Sequence, residues 1–228
     1  RSRRRAHRAR GVVVHVTTGT TVEAVVFDFG GVIITPITRT IGVIAESLGT
    51  TADVLAPVLM GPFDRSTDHH PWHRLERGEI ATEDLQGLLG PHAESAGLEL
   101  RGDEVERLLA PGQFEVNDFV LDAIDALRGR GLRVGLLTNG IRSFQPTLHR
   151  LCDPARFDVY VDSAWVGMRK PEPRIFEYVT GALGVPADRV AFLDDFAGNL
   201  VAAAAHGWRT IHVADPRLAL AELDALLP

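Results

Sequence analysis

The chain has 228 residues, 45% of them hydrophobic and 24% charged, which fits a soluble globular protein built on one core with room for a modest insertion. Its net charge of −6 hides an asymmetry: the first ten positions hold six arginines and no acid, leaving 18 basic against 30 acidic residues elsewhere. An acidic body argues against a nucleic-acid partner, and no apolar run approaches the roughly 18 residues of a membrane span.

Residues 1–21 read as a basic, disordered N-terminal extension. The run Val12-Val13-Val14-His15-Val16 is too short for a secretion signal and leads into polar Thr17, Thr18 and Thr20. A single cysteine, Cys152, cannot form an internal disulfide and points to a cytoplasmic setting. Val22–Phe27 then reads as a buried strand ending in Asp28 and Gly30-Gly31. From about Ile37 to Gln113 the pattern is helical, with patches at Ile41–Leu48, Ala52–Met60, Thr82–Leu89 and Asp103–Leu109 and no convincing strand.

After this stretch the rhythm turns to strand–helix alternation. Strands are expected at Arg133–Thr138, Val159–Asp162, Val190–Leu193 and Thr210–Val213. Helices between them are marked by Phe119, Val120, Ala123, Ile124 and Leu127, by Ile175, Phe176 and Val179 after Pro173, and by Leu200 to Ala205. Such alternation implies an α/β fold: a three-layer, Rossmann-like parallel sheet with helices on both faces. The core is then 22–36 with 114–228, and 37–113 is a small helical cap inserted after the first strand. It would sit over the carboxyl edge of the sheet, where open α/β sheets bind ligands.

Polar residues gather at the strand ends. Asp28 ends the first strand, Thr138-Asn139 the second and Asp194-Asp195 the fourth, while Lys170 follows the third in a loop. Of the 24 Lys and Arg residues, 23 are arginine and Lys170 is the one lysine. A position that keeps a compact point charge in so arginine-biased a chain suggests a small, crowded site. Carboxylates brought together repel unless a cation neutralises them, and hard oxygen ligands suit Mg²⁺ shared with a substrate phosphate. Lys170 and the Thr138 hydroxyl would face the phosphoryl oxygens.

The motifs Phe27-Asp28-Phe29-Gly30-Gly31-Val32, Leu136-Leu137-Thr138-Asn139-Gly140, Arg169-Lys170-Pro171 and Phe192-Leu193-Asp194-Asp195 with Asn199 resemble, in order and spacing, those of the haloacid dehalogenase superfamily of phosphatases. The resemblance covers about Val22 to Val213, and the helical stretch matches the cap many members carry. It implies that Asp28 is the nucleophile and forms an aspartyl-phosphate that water hydrolyses. It further implies that Asp28, the Gly30 carbonyl, Asp194 and Asp195 hold Mg²⁺, with Asp194 bound directly or through water. Thr138 and Asn139 would hold the phosphoryl group, Lys170 would neutralise charge, and Asn199 would orient the acidic loop. The expected substrate is a small phosphorylated metabolite such as a sugar phosphate.

One position departs from the pattern. Most phosphatases of this group have an aspartate two residues after the nucleophile, where this chain has Gly30. That aspartate serves as general acid and base, a contribution of roughly 10²- to 10⁴-fold. Three consequences are open: a leaving group that needs little protonation, such as a sugar 1-phosphate or acyl phosphate; an acid supplied from the cap by His69, His70 or His73; or a slow or non-catalytic, ligand-binding protein. A metal-independent 2-haloacid dehalogenase also lacks the second aspartate, but it leaves the Asp194-Asp195 pair without a purpose. The Asp28-Phe29-Gly30 phrase does not indicate a kinase, since no glycine-rich loop or His-Arg-Asp segment accompanies it. A two-component receiver places its acidic pair before the phosphorylated aspartate, not last, and no dinucleotide fingerprint follows a strand.

Overall fold

In the computed structural model, which describes residues 21–62 and 69–227, five apolar runs form one fully parallel sheet. Its strands are β1 (Ala24–Phe27), β2 (Arg133–Thr138), β3 (Val159–Asp162), β4 (Val190–Asp194) and β5 (Arg209–His212), in the order β3-β2-β1-β4-β5. The expected basic extension lies, apart from its last residue, outside the described residues. Alternate strand residues serve opposite faces. Val25 and Phe27 pack with α6 (Asp118–Gly129) and α11 (Pro216–Leu226), whereas Ala24 and Val26 pack with α9 (Pro173–Leu183) and α10 (Ala197–Ala205). Complete burial of a side chain such as Phe27 or Phe192 contributes about 1.5–3 kcal/mol, so the two layers lock the strand register.

The expected strands are present, with edges moved by pairing. β1 starts at Ala24 instead of Val22, because Ala24 is where its neighbours Arg133 and Val190 begin their registers. β5 is displaced one residue towards the N-terminus, where Arg209 pairs with Ala191. Helices α7 (Gln145–Leu151) and α11 escaped the periodicity reading, as did α3 (Pro71–Glu76) in the insertion. All three carry proline in their first turn, where its fixed φ suits a helix start and its missing N–H costs nothing. The short α8 (Ser163–Val166) was also unannounced and is capped by Asp162.

Between β1 and α6 the chain forms α1 (Ile37–Ser47), α2 (Ala52–Met60), α3, α4 (Thr82–Ser95) and α5 (Glu104–Leu109), with no strand among the described residues. α4 runs past Gly90-Pro91, where a helix end was expected, since Leu85, Leu89 and Ala93 continue one buried stripe. These helices enclose their own apolar cluster, which includes Ile41, Ile44, Leu55, Leu59, Leu85 and Leu89. No single helix among the described residues is long and apolar enough to cross a membrane.

A polar seam joins the insertion to the sheet. Arg169 donates from Nε to Glu76 Oε2 at 2.5 Å, and Trp72 donates from Nε1 to Glu76 Oε1 at 2.8 Å. Ser163 also donates to the Glu76 carbonyl at 2.6 Å. Both members of the ion pair are buried. Removing one partner of a buried pair leaves an uncompensated charge, which costs about 3–5 kcal/mol, whereas replacing both with apolar residues is often neutral. Glu76→Ala is therefore expected to lose about that much stability in urea unfolding, and Glu76→Leu with Arg169→Met to recover most of it.

Candidate active site

β1 lies at the centre of the sheet, flanked by β2 and β4, so the carboxyl ends of these three strands open into a common crevice. Asp28 directly follows β1, and its N–H donates to the Leu193 carbonyl at 2.9 Å. Across the crevice Lys170 is fully buried, with its ammonium 2.8 Å from Asp28 Oδ1 and 2.7 Å from Asp194 Oδ2. Two asparagines hold this arrangement. Asn139 accepts from the Lys170 N–H at 2.8 Å and donates to its carbonyl at 2.9 Å. Asn199 donates to both Asp194 oxygens, at 3.1 and 3.0 Å, and Phe196 N–H donates to Oδ1 at 2.7 Å.

The electrostatics follow from burial. The Asp28 carboxyl is pushed up to about 7 by burial, against the pull of Lys170 and with Asp194 adding to the rise. Asp195 rises to about 8 through burial and then repulsion from Asp28 and Asp194. Burial works against the charge on Lys170, but Asp194 and Asp28 outweigh it and hold its pKa above the ordinary lysine value. Ligand oxygens of Asp28, Asp194 and Asp195 all lie within 4.8 Å of one another.

Above this floor is a cavity of about 120 Å³. Asp28, Thr138, Asn139, Lys170, Asp195 and Asn199 form its polar base. Its walls are apolar and come from both sides: Ile37, Met60, Trp72 and Leu109 from the insertion, Phe114 and Phe144 from the core. Glu76 and Arg169 also line it.

Residues 22–207 match the haloacid dehalogenase-like hydrolase family. The chain belongs to that family. It is 33% identical over 211 residues to mouse acyl-CoA dehydrogenase family member 10, with 92% of this chain aligned to 19% of that protein. It thus spans about a fifth of that relative's length. To the sesquiterpene phosphatase astK of Aspergillus oryzae it is 28% identical, over 91% of this chain and 98% of that protein. A HAD family enzyme of Bacteroides thetaiotaomicron in complex with magnesium and inorganic phosphate shares the fold, with a TM-score of 0.58 and 19% identity over 84% of this chain and 93% of that one. So does the L-2-haloacid dehalogenase of Xanthobacter autotrophicus, at 0.59 and 19% over 91% and 85%.

In this hydrolase the acidic cluster has the character of a hard-cation site. Asp195 Oδ1 is buried without a hydrogen-bond partner, an orphaned acceptor that a cation would satisfy. Asp194 differs, since Lys170, Asn199 and Phe196 already occupy its two oxygens. Asn139 is engaged chiefly with the Lys170 backbone, a positioning task its place beside Thr138 did not reveal. None of the three candidate histidines lines the cavity: His69 is exposed at the edge of another surface depression, while His70 and His73 are buried within the insertion. Glu76 and Arg169 were not anticipated as cavity residues. The available signals were the four-residue spacing of Trp72 and Glu76 on a helix face and the adjacency of Arg169 to Lys170.

Gly31 sets how close the first loop comes to Asp195. Its φ is +69°, and a Cβ there would fall 2.0 Å from Asp195 Oδ2. Gly49 has φ +70° with open space around it. Both positions penalise a side chain by about 1–2 kcal/mol for the left-handed backbone. Gly31→Ala is expected to exceed Gly49→Ala in lost stability, measured by urea unfolding, and the excess reports the collision with Asp195.

Proposed function

We propose that the protein is a Mg²⁺-dependent phosphatase of small phosphorylated metabolites, working through an aspartyl-phosphate on Asp28. The observation that carries this reading is the buried Asp28–Lys170–Asp194 bridge beside the orphaned Asp195 oxygen. A nucleophilic carboxylate, a compact cation and a second acidic group share one floor. The match to the phosphatase astK supports the same direction.

In this mechanism the phosphoryl group rests on the polar base, with the Thr138 hydroxyl donating to one of its oxygens. Lys170 lowers the repulsion between the Asp28 carboxylate and the dianion. An oxygen of Asp28 attacks phosphorus, the bond to the leaving oxygen breaks, and the organic fragment departs with the electron pair. Water then attacks phosphorus, the Asp28–phosphorus link breaks, and inorganic phosphate leaves as the carboxylate is regenerated. Asp28, Asp195 and the Gly30 carbonyl would hold the Mg²⁺, with Asp194 behind them as the anchor of Lys170. Bound there, the cation supplies charge stabilisation for phosphoryl oxygens. The helical insertion acts as a cap that keeps bulk water from the reacting centre.

Two variants test this reading. Asp28→Asn is expected to abolish turnover of p-nitrophenyl phosphate while circular dichroism and thermal melting stay near wild type, because Asp194 still neutralises Lys170. Retained turnover would remove Asp28 as nucleophile. EDTA should also extinguish the wild-type activity; a dehalogenase would survive it.

Gly30 is the second test. A Cβ at Gly30 meets nothing within 4 Å, so the backbone there leaves room for a side chain to start. Gly30→Asp restores an acid and is expected to raise kcat/KM for alkyl phosphates by up to about 10²-fold more than for p-nitrophenyl phosphate, whose leaving group needs no proton. Parallel changes for the two substrates would show that proton donation is not what the wild-type enzyme lacks.

A further inference from the structure

Three features of the cavity, none of which the phosphoryl-transfer floor explains, constrain the substrate's organic part. The first is the apolar wall. A fragment leaving the floor faces Ile37, Met60, Trp72, Leu109, Phe114 and Phe144. Beyond the floor, the described side chains offer few polar atoms to a ligand. Both Glu76 oxygens are committed, to Arg169 and Trp72, and the Thr35 hydroxyl, which accepts from the Glu115 N–H at 3.1 Å, has its one proton to offer. A sugar carries several hydroxyls, and each one stripped of water without a partner weakens binding by about ten-fold. The wall therefore disfavours the sugar phosphates that the sequence suggested.

The second feature is a single donor. Arg169 is 2% exposed and lines the cavity, and its Nη1 is buried with no hydrogen-bond partner. A buried guanidinium nitrogen in that state calls for one acceptor oxygen. The third feature is that the described residues place no free proton donor on the leaving-group side. Gly30 provides none, the candidate histidines lie elsewhere, and Glu76 is bound to an arginine.

We infer, building on the phosphatase reading above, that the substrate is the acyl phosphate of a hydrophobic carboxylic acid. Its apolar chain fits the wall, and its one carbonyl oxygen fits Arg169 Nη1. Its leaving group is a carboxylate, which departs without a proton. In the transfer step the Asp28 oxygen bonds to phosphorus, the phosphorus–oxygen bond of the acyl phosphate breaks, and the electron pair leaves on the carboxylate. One acyl phosphate is exchanged for another on Asp28, so the step is close to balanced in energy. Water then cleaves the enzyme's own acyl phosphate. Arg169 supplies charge to the departing carboxylate and serves as a substrate-binding residue.

The test uses the full chain with Mg²⁺ and four substrate sets: acetyl through octanoyl phosphates, alkyl phosphates of the same lengths, glucose 1- and 6-phosphates, and p-nitrophenyl phosphate. The expected kcat/KM rises about four-fold per methylene along the acyl series for as long as the added carbons are buried against the wall. In Glu76→Leu with Arg169→Met, which removes both buried charges together, the acyl-to-nitrophenyl ratio of kcat/KM is expected to fall at least about ten-fold. Arg169→Lys, which keeps a charge but not the fork, should lie between. A flat acyl series, an unchanged ratio in the double variant, or glucose phosphates preferred over acyl phosphates would each overturn the inference, and p-nitrophenyl phosphate turnover would show the phosphatase reading still standing. Failure to turn over any of the four sets would remove both.

Discussion

Burying Lys170 is the constraint on which the rest of the site depends. An ammonium taken fully out of water is tolerated only when charges and hydrogen bonds surround it. Asp28 and Asp194 supply the charges at 2.8 and 2.7 Å, and the Phe192 ring lies 5.4 Å from the ammonium as a further favourable surface. Moving either carboxylate leaves the lysine one acid instead of two, so a single cation ties Asp28 to the acidic loop. The asparagines extend this constraint outward. Asn139 pins the lysine's backbone to the end of β2, and Asn199 pins Asp194 from the first turns of α10. Groups from four chain segments thereby become one rigid unit.

That unit still carries more negative charge than one lysine offsets. With Asp28 near 7 and Asp195 near 8, the folded state favours the protonated carboxyls over an unfolded chain in which both ionise near 4. The stabilisation is complete below the unfolded values and is lost as pH rises through about 7 to 8, where ionising both acids works against the fold. A divalent cation held there would do what the protons do and leave Asp28 ionised. On the proposed phosphatase reading, electrostatic need and chemical use coincide: the cation that would relieve the repulsion is also the one that would stabilise phosphoryl charge.

Much of this was legible in the sequence, and for physical reasons. A parallel strand buried on both faces leaves a dense apolar run, and the polar residue ending it falls on the ligand-binding edge by geometry alone. Asp28, Thr138 and Asp194 were readable that way. Other features were not. The helices α3 and α7, of 6 and 7 residues, are too short for a periodic stripe to stand out, and a first-turn proline is what marks them, as it also marks the longer α11. The edges of β1 and β5 depend on where neighbouring strands begin, which is a property of the sheet and not of the segment. The role of Asn139 as the clamp on Lys170, and the closure of Glu76 onto Arg169, join residues 31 and 93 positions apart. Contacts at such separations have no local signature.

The choice of lysine at position 170 now has a geometric reason beyond composition. Its ammonium reaches two separate carboxylates within 3 Å, beside the Phe192 ring. A guanidinium is planar, forked and wider, suited to one carboxylate held side-on; in the space that a buried ammonium fills between two acids it would push one of them away. Arginine takes the adjoining position instead, where Glu76 presents a single carboxylate and one nitrogen is left over. The two neighbouring cations thus divide their tasks by shape. The compact one binds Asp28 to the acidic loop on the floor, and the broad one lines the cavity above it. A substrate that extends from floor to wall meets both.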